Sequence, residues 1–156
     1  RPEDDDVFLD PMCGAGTILA ERGEHGRYGC LLGGDIRAEA LAAARANIGP
    51  RYRPIGLHRW DATRLPLPDA SVGRVVCNLP FGVRIGRGED LPGLYRAFLG
   101  EVRRVLPTGG RAVLLASDTR LLERLLGRSA GLEADRTEHV LVLGRRAAIL
   151  SATATG

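Results

Sequence analysis

The chain is expected to fold as a three-layer α/β/α sandwich on a mostly parallel sheet, and three features carry that expectation. An apolar run, Val7 to Asp10, leads into the glycine-bearing turn Pro11-Met12-Cys13-Gly14-Ala15-Gly16 and then into helix, which is a strand–loop–helix junction. Strand-like and helix-like stretches then alternate along the chain, read as five times, which implies parallel strands with helices on both faces. Finally, the chain closes on two consecutive strands, and a terminal hairpin forces one antiparallel strand.

The elements follow in order. Asp4-Asp5-Asp6 reads as a solvated lead-in, Val7–Asp10 as the first strand, and about Gly16 to Arg22 as the first helix. After the turn at Glu24-His25-Gly26-Arg27, Tyr28–Ile36 is apolar on both faces, as a buried parallel strand should be. Arg37–Asn47 is alanine-rich helix stopped by Gly49-Pro50. Ile55–Trp60 is the third strand, and Leu65-Pro66-Leu67-Pro68-Asp69 a stiff linking loop. Gly73–Cys77 forms the fourth strand. Leu94, Phe98, Val102 and Val105 mark an amphipathic helix ending at Pro107. A fifth strand, Arg111–Ser117, and a helix around Leu121, Leu122, Leu125 and Leu126 precede the closing strands, about Glu133–Leu143 and Arg145–Ser151. Gly144 is the expected hinge of that hairpin, and the last few residues are expected to fray.

Composition bounds the function. At 156 residues the chain is one domain with a proper core, and 44% hydrophobic with 26% charged residues is ordinary for a soluble protein. No apolar run approaches the ~18 residues of a membrane span. The chain opens at Arg1 without a charged-then-apolar leader, and is read as a fragment of a longer protein. Cys13, Cys30 and Cys77 lack metal or redox spacing, so reduced thiols and a cytoplasmic location are expected. His25, His58 and His139 are isolated, and no metal site is expected. All 22 basic residues are arginine, which reads as codon bias, and a net charge of +3 falls short of a basic RNA-binding module.

The chemistry starts at the first loop. No lysine follows its glycines, so it is not a phosphate-gripping P-loop, and Leu19 stands where G-x-G-x-x-G needs a third glycine. That residue and the terminal hairpin both disfavour an NAD-binding domain. Asp10 at the strand end suits a ligand with a positive charge or free amine, and S-adenosylmethionine (SAM) fits, with its sulfonium and α-amino group. Asp35 ends the second strand, nineteen residues after Gly16, where it can accept both ribose hydroxyls or cap the next helix. Asp61 can meet an adenine amino group or serve as a loop cap. Trp60 is read as packing, and Cys13 as a small packing residue rather than a nucleophile.

Asn78-Leu79-Pro80-Phe81 ends the fourth strand, across the expected switch point from the first loop. The residue types suit methylation of an exocyclic amino group, whose lone pair is delocalised into its ring. The Asn78 side-chain oxygen and the Leu79 carbonyl can each accept one amino hydrogen, turning the lone pair toward the donor and stabilising the developing charge. Pro80 stiffens the turn, and Phe81 offers a stacking face for a base. The same four residues can also be read as a plain strand-end turn. Arg84 and Arg87, in the glycine-rich loop that follows, can contact RNA phosphates around a flipped-out nucleotide or simply be solvated.

With these motifs in place, the chain resembles class I SAM-dependent methyltransferases, and more narrowly the THUMP-associated tRNA guanine methyltransferases. The matching residues are D-P-M-C-G-A-G-T (Asp10–Thr17), G-G-D-I (Gly33–Ile36), W-D-A-T (Trp60–Thr63) and N-L-P-F-G (Asn78–Gly82). The resemblance implies a Rossmann-like, seven-stranded sheet ordered 3-2-1-4-5-7-6 with the seventh strand antiparallel. It implies SAM contacts at Asp10, Pro11, Cys13, Gly14, Gly16, Thr17, Asp35, Ile36, Asp61, Ala62 and Asn78. It further implies methylation of the 2-amino group of a guanosine in tRNA, and an upstream THUMP domain that captures the RNA. Ribosomal RNA guanine, DNA adenine and a protein glutamine amide are planar amino acceptors of the same kind. A nucleotide-binding module without catalysis is the reading from another class.

Overall fold

The computed structural model describes residues 5–80, 90–129 and 131–156. Its elements are β1 (Val7–Asp10), α1 (Thr17–Glu24), β2 (Cys30–Asp35), α2 (Ala38–Ile48), β3 (Ile55–Arg59), β4 (Arg74–Asn78), α3 (Leu91–Val105), β5 (Arg111–Ala116), α4 (Thr119–Leu126), β6 (Leu132–Val142) and β7 (Arg145–Ala154). They build one seven-stranded sheet in the order β3-β2-β1-β4-β5-β7-β6. The strand pairs from β1 to β5 are parallel, and β7 runs antiparallel to both β5 and β6. This is the order and the single reversed strand that the resemblance implies.

Handedness distributes the helices. From the centre, β1–α1–β2 and β2–α2–β3 step one way and β4–α3–β5 the other, so right-handed crossovers put the two sets on opposite faces. Neighbouring residues of β1 split accordingly. Phe8 joins Leu19, Leu31, Leu41, Ala44 and Ile48 beneath α1 and α2. Leu9 joins the larger cluster of Val75, Cys77, Phe98, Leu99, Leu114, Leu122 and Leu150 beneath α3 and α4.

Capping sets the helix starts on the second face. Asp90 accepts from the Gly93 amide at 2.9 Å to open α3, and Asp118 accepts from the Leu121 amide at 3.0 Å to open α4. Tyr95, Phe98, Leu99, Val102 and Val105 form the buried stripe of α3.

Three expectations need correction. The described residues contain four strand–helix alternations rather than five, because β3 runs on to β4 through the expected loop with no helix between them. The loop is packed through Ala62, Leu65 and Val72 and clamped by α3. Arg104 donates to the carbonyls of Leu65 and Leu67 at 2.9 and 2.7 Å, and Glu101 accepts from the Leu65 amide at 2.6 Å. Asp6 is not solvated: it is buried and lies 3.6 Å from the Arg74 guanidinium. The last strand does not stop near Ser151: β7 continues to Ala154, whose amide donates to the Gly110 carbonyl at 2.8 Å.

Candidate active site

Strand order places the ends of β3, β2, β1 and β4 side by side, with the topological switch between β1 and β4. At that edge Asp10 is the last residue of β1 and only 1% exposed. Its Oδ1 accepts from the Met12 amide at 3.3 Å. Burial pushes its carboxyl up to about 7, and the Asp35 charge adds to the rise against that hydrogen bond. Asp35, the last residue of β2, accepts from the Gly14 amide at 3.0 Å through Oδ2. Its Oδ1 accepts from the Arg37 amide at 3.0 Å and from Arg37 Nε at 3.3 Å. Helix α2 has Arg37 at its N-cap, so Asp35 is not that cap. It joins the first loop to the second instead.

The first loop is held from several sides. The Cys13 amide donates to the Gly34 carbonyl at 2.8 Å and the Gly16 amide to the Cys13 carbonyl at 2.7 Å. Gly16, at φ +80°, caps α1 with no side-chain partner, so Thr17 opens the helix with its amide end facing the crevice. Asn47 Nδ2 reaches from α2 to the Ala15 carbonyl at 3.0 Å. Trp60 Nε1 donates to the buried Pro11 carbonyl at 3.1 Å. A Cβ on Gly34 would fall inside the Trp60 indole, so glycine there lets the third strand's end lock the first loop. Burial, then the charges of Asp10 and Asp35, push the Cys13 thiol up to about 12, which fits the packing role expected for it.

Other expected residues divide. Ile36 is 59% exposed beside Asp35 and offers an apolar platform at the crevice. Asp61 is exposed, and its Oδ1 accepts from the Thr63 amide at 2.8 Å and the Thr63 hydroxyl at 2.7 Å, which is the loop-cap role. Ala62 has its methyl in the core, leaving only its backbone to face a ligand.

At the end of β4, Asn78 is exposed while Leu79 is buried, its amide donating to the Leu115 carbonyl at 2.9 Å. The Tyr95 hydroxyl, from fully buried Tyr95 of α3, donates to the Pro80 carbonyl at 3.0 Å. Phe81, Arg84 and Arg87 lie outside the described residues. Sequence reading missed the roles of Tyr95 and Asn47, and took Trp60 for packing alone. The one available signal was a hydroxyl-bearing residue inside the apolar stripe of α3.

Two buried carboxylates at the ends of neighbouring strands favour a ligand that brings positive charge and hydroxyl donors. Among the described residues, and apart from its two chain neighbours, no heavy atom lies within 4 Å of where a Gly14 Cβ would stand. The residues therefore fit SAM. The chain belongs to the RMKL-like methyltransferase domain family, whose pattern it matches over residues 1–147. It is 35% identical over 140 residues to the mouse (Mus musculus) tRNA (guanine(6)-N(2))-methyltransferase THUMP3, covering 81% of this chain and 28% of that protein. It is 37% identical over 115 residues to the bovine (Bos taurus) U6 snRNA (guanine-N(2))-methyltransferase THUMPD2, covering 72% and 22%. The crystal structure of TrmN from Thermus thermophilus superposes with a TM-score of 0.80 at 29% identity, over 96% of this chain and 44% of that one. The chain thus spans about a quarter of the length of these two relatives.

Proposed function

We propose that this domain transfers a methyl group from SAM to the exocyclic 2-amino group of a guanosine in tRNA. The observation that carries the reading is exposed Asn78 at the end of β4, beside the strand that delivers buried Asp10. When bound, SAM supplies a methyl group made electrophilic by its sulfonium. Asp10 and the start of α1 hold its amino-acid end, and Asp35 accepts from the ribose. A carboxylate has about four acceptor sites, so Asp35 can take one hydroxyl beside its three N–H donors. Ile36 supports the adenine, and Asp61 and Ala62 border it.

On the acceptor side, Asn78 Oδ1 and the Leu79 carbonyl each accept one amino hydrogen. The nitrogen lone pair is thereby aimed out of the ring plane, and positive charge developing on nitrogen meets two oxygen dipoles. The product ammonium then loses its proton to water, and no general base is needed. Tyr95 holds the backbone that follows through Pro80.

The RNA guanine assignment is supported by relatives named for guanine-N(2) methylation, and the bovine U6 snRNA enzyme makes small nuclear RNA the second reading. Arg84, Arg87 and Phe81 remain proposed RNA contacts. The three free cysteines fit a cytoplasmic location, and no described helix is long and apolar enough to cross a membrane.

The test begins with a calorimetric titration of the chain with S-adenosylhomocysteine, with NADH in parallel. The first is expected to bind and the second not. Methylated nucleosides from tRNA and U6 transcripts, incubated with the chain and SAM, are then identified by mass spectrometry. N2-methylguanosine from tRNA is the expected product, and methyl transfer to adenine alone would overturn the assignment.

A further inference from the structure

The β6–β7 hairpin outruns the sheet it closes. β5 ends at Ala116, opposite Ala148, whereas β7 begins at Arg145 and β6 continues to Val142. Arg145, Arg146 and Ala147 therefore pair with β6 alone. At a rise of roughly 3.3 Å per residue the tip stands about 10 Å past the end of β5. Because β7 is antiparallel to β5, this tip lies at the carboxyl ends of the parallel strands, the edge that carries Asp10, Asp35 and Asn78. Asn78 is level with Leu115, and Leu115 with Ile149 of β7. Two strand spacings, roughly 10 Å in all, separate β4 from β7. The hairpin stands beside the acceptor position and projects beyond it.

Its composition is not that of a hairpin closing a core. Residues 140–147, V-L-V-L-G-R-R-A, hold two arginines and no acid. Both arginines are exposed, and neither has an ion-pair or hydrogen-bond partner among the described residues. Of the carboxylates lower on the hairpin, Asp135 pairs with Arg111 at 3.4 Å and Glu138 with Arg136 at 3.0 Å, while Glu133 lies at the far end of β6. Leu141 is 73% exposed and Leu143 98%. Leu143 also sits at φ +50°, before Gly144 at φ +74°, in a turn whose first position normally takes Asn, Asp or Gly. A leucine there adds nothing to the core and holds a backbone conformation it disfavours. Strain of this kind at an exposed tip points to a contact outside the fold.

We propose that the β6–β7 tip is an RNA-gripping arm, with Arg145 and Arg146 contacting backbone phosphates next to the nucleotide being modified. The inference rests on the RNA methyltransferase reading above. Guanidinium forks match phosphate oxygens in pairs, and such contacts set the register of a nucleic acid without reading its sequence. Leu141 and Leu143 lie against sugar and base surfaces, as apolar wedges do elsewhere in nucleic-acid binding. An RNA is favoured over a lipid surface because the tip shares its edge with the candidate acceptor site.

The experiment measures binding of a fluorescent tRNA transcript across a salt series, with S-adenosylhomocysteine affinity as the control. The double variant R145A/R146A is expected to lose about tenfold or more in tRNA affinity at low salt. Its log–log salt slope should fall by about 1.4–1.8, the loss of two phosphate contacts. Leu143→Gly, which suits the positive φ, should weaken tRNA binding severalfold with the slope unchanged, since an apolar contact releases no counterion. If the parent binds tRNA and the double variant binds it equally well with the same slope, the arm is refuted while the RNA reading stands. If the parent binds S-adenosylhomocysteine yet neither binds tRNA nor methylates it at high RNA concentration, where capture by a separate domain is not limiting, the RNA reading fails and the arm with it. Arginine-dependent capture by phosphatidylserine vesicles, with tRNA binding unaltered, would replace the RNA by a membrane and also overturn the proposal.

Discussion

At the ends of β1 and β2 the polar groups are buried and bonded to one another, whereas at the end of β4 Asn78 stands in solvent with Tyr95 anchoring the backbone behind it. Asp10 and Asp35 are 1% and 6% exposed and are braced by amides of the first and second loops. The difference matches what the proposed reaction asks each side to bind. A small charged cofactor is gripped by groups already desolvated and oriented, so little reorganisation accompanies binding. A bulky nucleic-acid acceptor needs an open approach, and only the last few ångströms around its amino group need fixed geometry.

The largest test of this division is Asn78→Ala. Loss of a fixed dipole at the reacting atom should lower kcat by about 10²–10³-fold. S-adenosylhomocysteine affinity, read by calorimetry, should stay unchanged, and a parallel loss would mean the two sides are not separate. Asp35→Ala is the converse. Removing charge-assisted hydrogen bonds of about 1.5–3 kcal/mol should weaken cofactor affinity roughly 10–100-fold. Turnover at saturating cofactor should hold within a fewfold range.

Next in size is the pH response of Asp10, whose carboxyl sits at about 7 against an ordinary 3.8. The folded chain binds this proton more tightly than the unfolded one. The Asp10 contribution to stability is therefore most favourable below the ordinary value and is lost as pH rises toward about 7. A ligand ammonium needs the ionised form, so affinity should rise up to tenfold per pH unit below 7 and level off above it. Proton release on binding, seen as a buffer-dependent enthalpy, checks this directly, and Asp10→Asn should abolish it while raising Tm at pH 8. The smallest effect is Tyr95→Phe. One hydrogen bond of about 1 kcal/mol is lost, so kcat should fall about three- to tenfold with cofactor affinity intact. An unchanged kcat in Tyr95→Phe would show that Pro80 needs no anchor.

Much of the site was legible because its signals are local. A strand that ends in Asp10 and turns through Gly14 and Gly16, a second that ends in Asp35, and Asn78-Leu79-Pro80 after a third apolar run are each contained in a few residues. The link from β3 to β4 was harder. Its Leu65-Pro66-Leu67-Pro68 run was read correctly as a loop, yet the clamp from Arg104 and Glu101 spans more than thirty residues and has no local mark. Asp61 presented two readings of one carboxylate, and only the position of Thr63 displayed the capping bonds. Asp6 looked solvated as the end of an acidic run, until Arg74 of a distant strand was found beside it.

The sequence by itself determined where most of the strands and helices form and which chemistries the strand ends can carry. Those are consequences of side-chain period, turn residues and functional groups, all short-range. Only the tertiary structure decided that Asp10 and Asp35 are buried close enough for their charges to interact, that Tyr95 reaches Pro80 and Trp60 reaches Pro11, and that Arg145 and Arg146 stand beyond the sheet. Burial, strand register and the meeting of distant segments are properties of the packed chain. A carboxylate's proton affinity or an arginine's freedom depends on what is brought next to it.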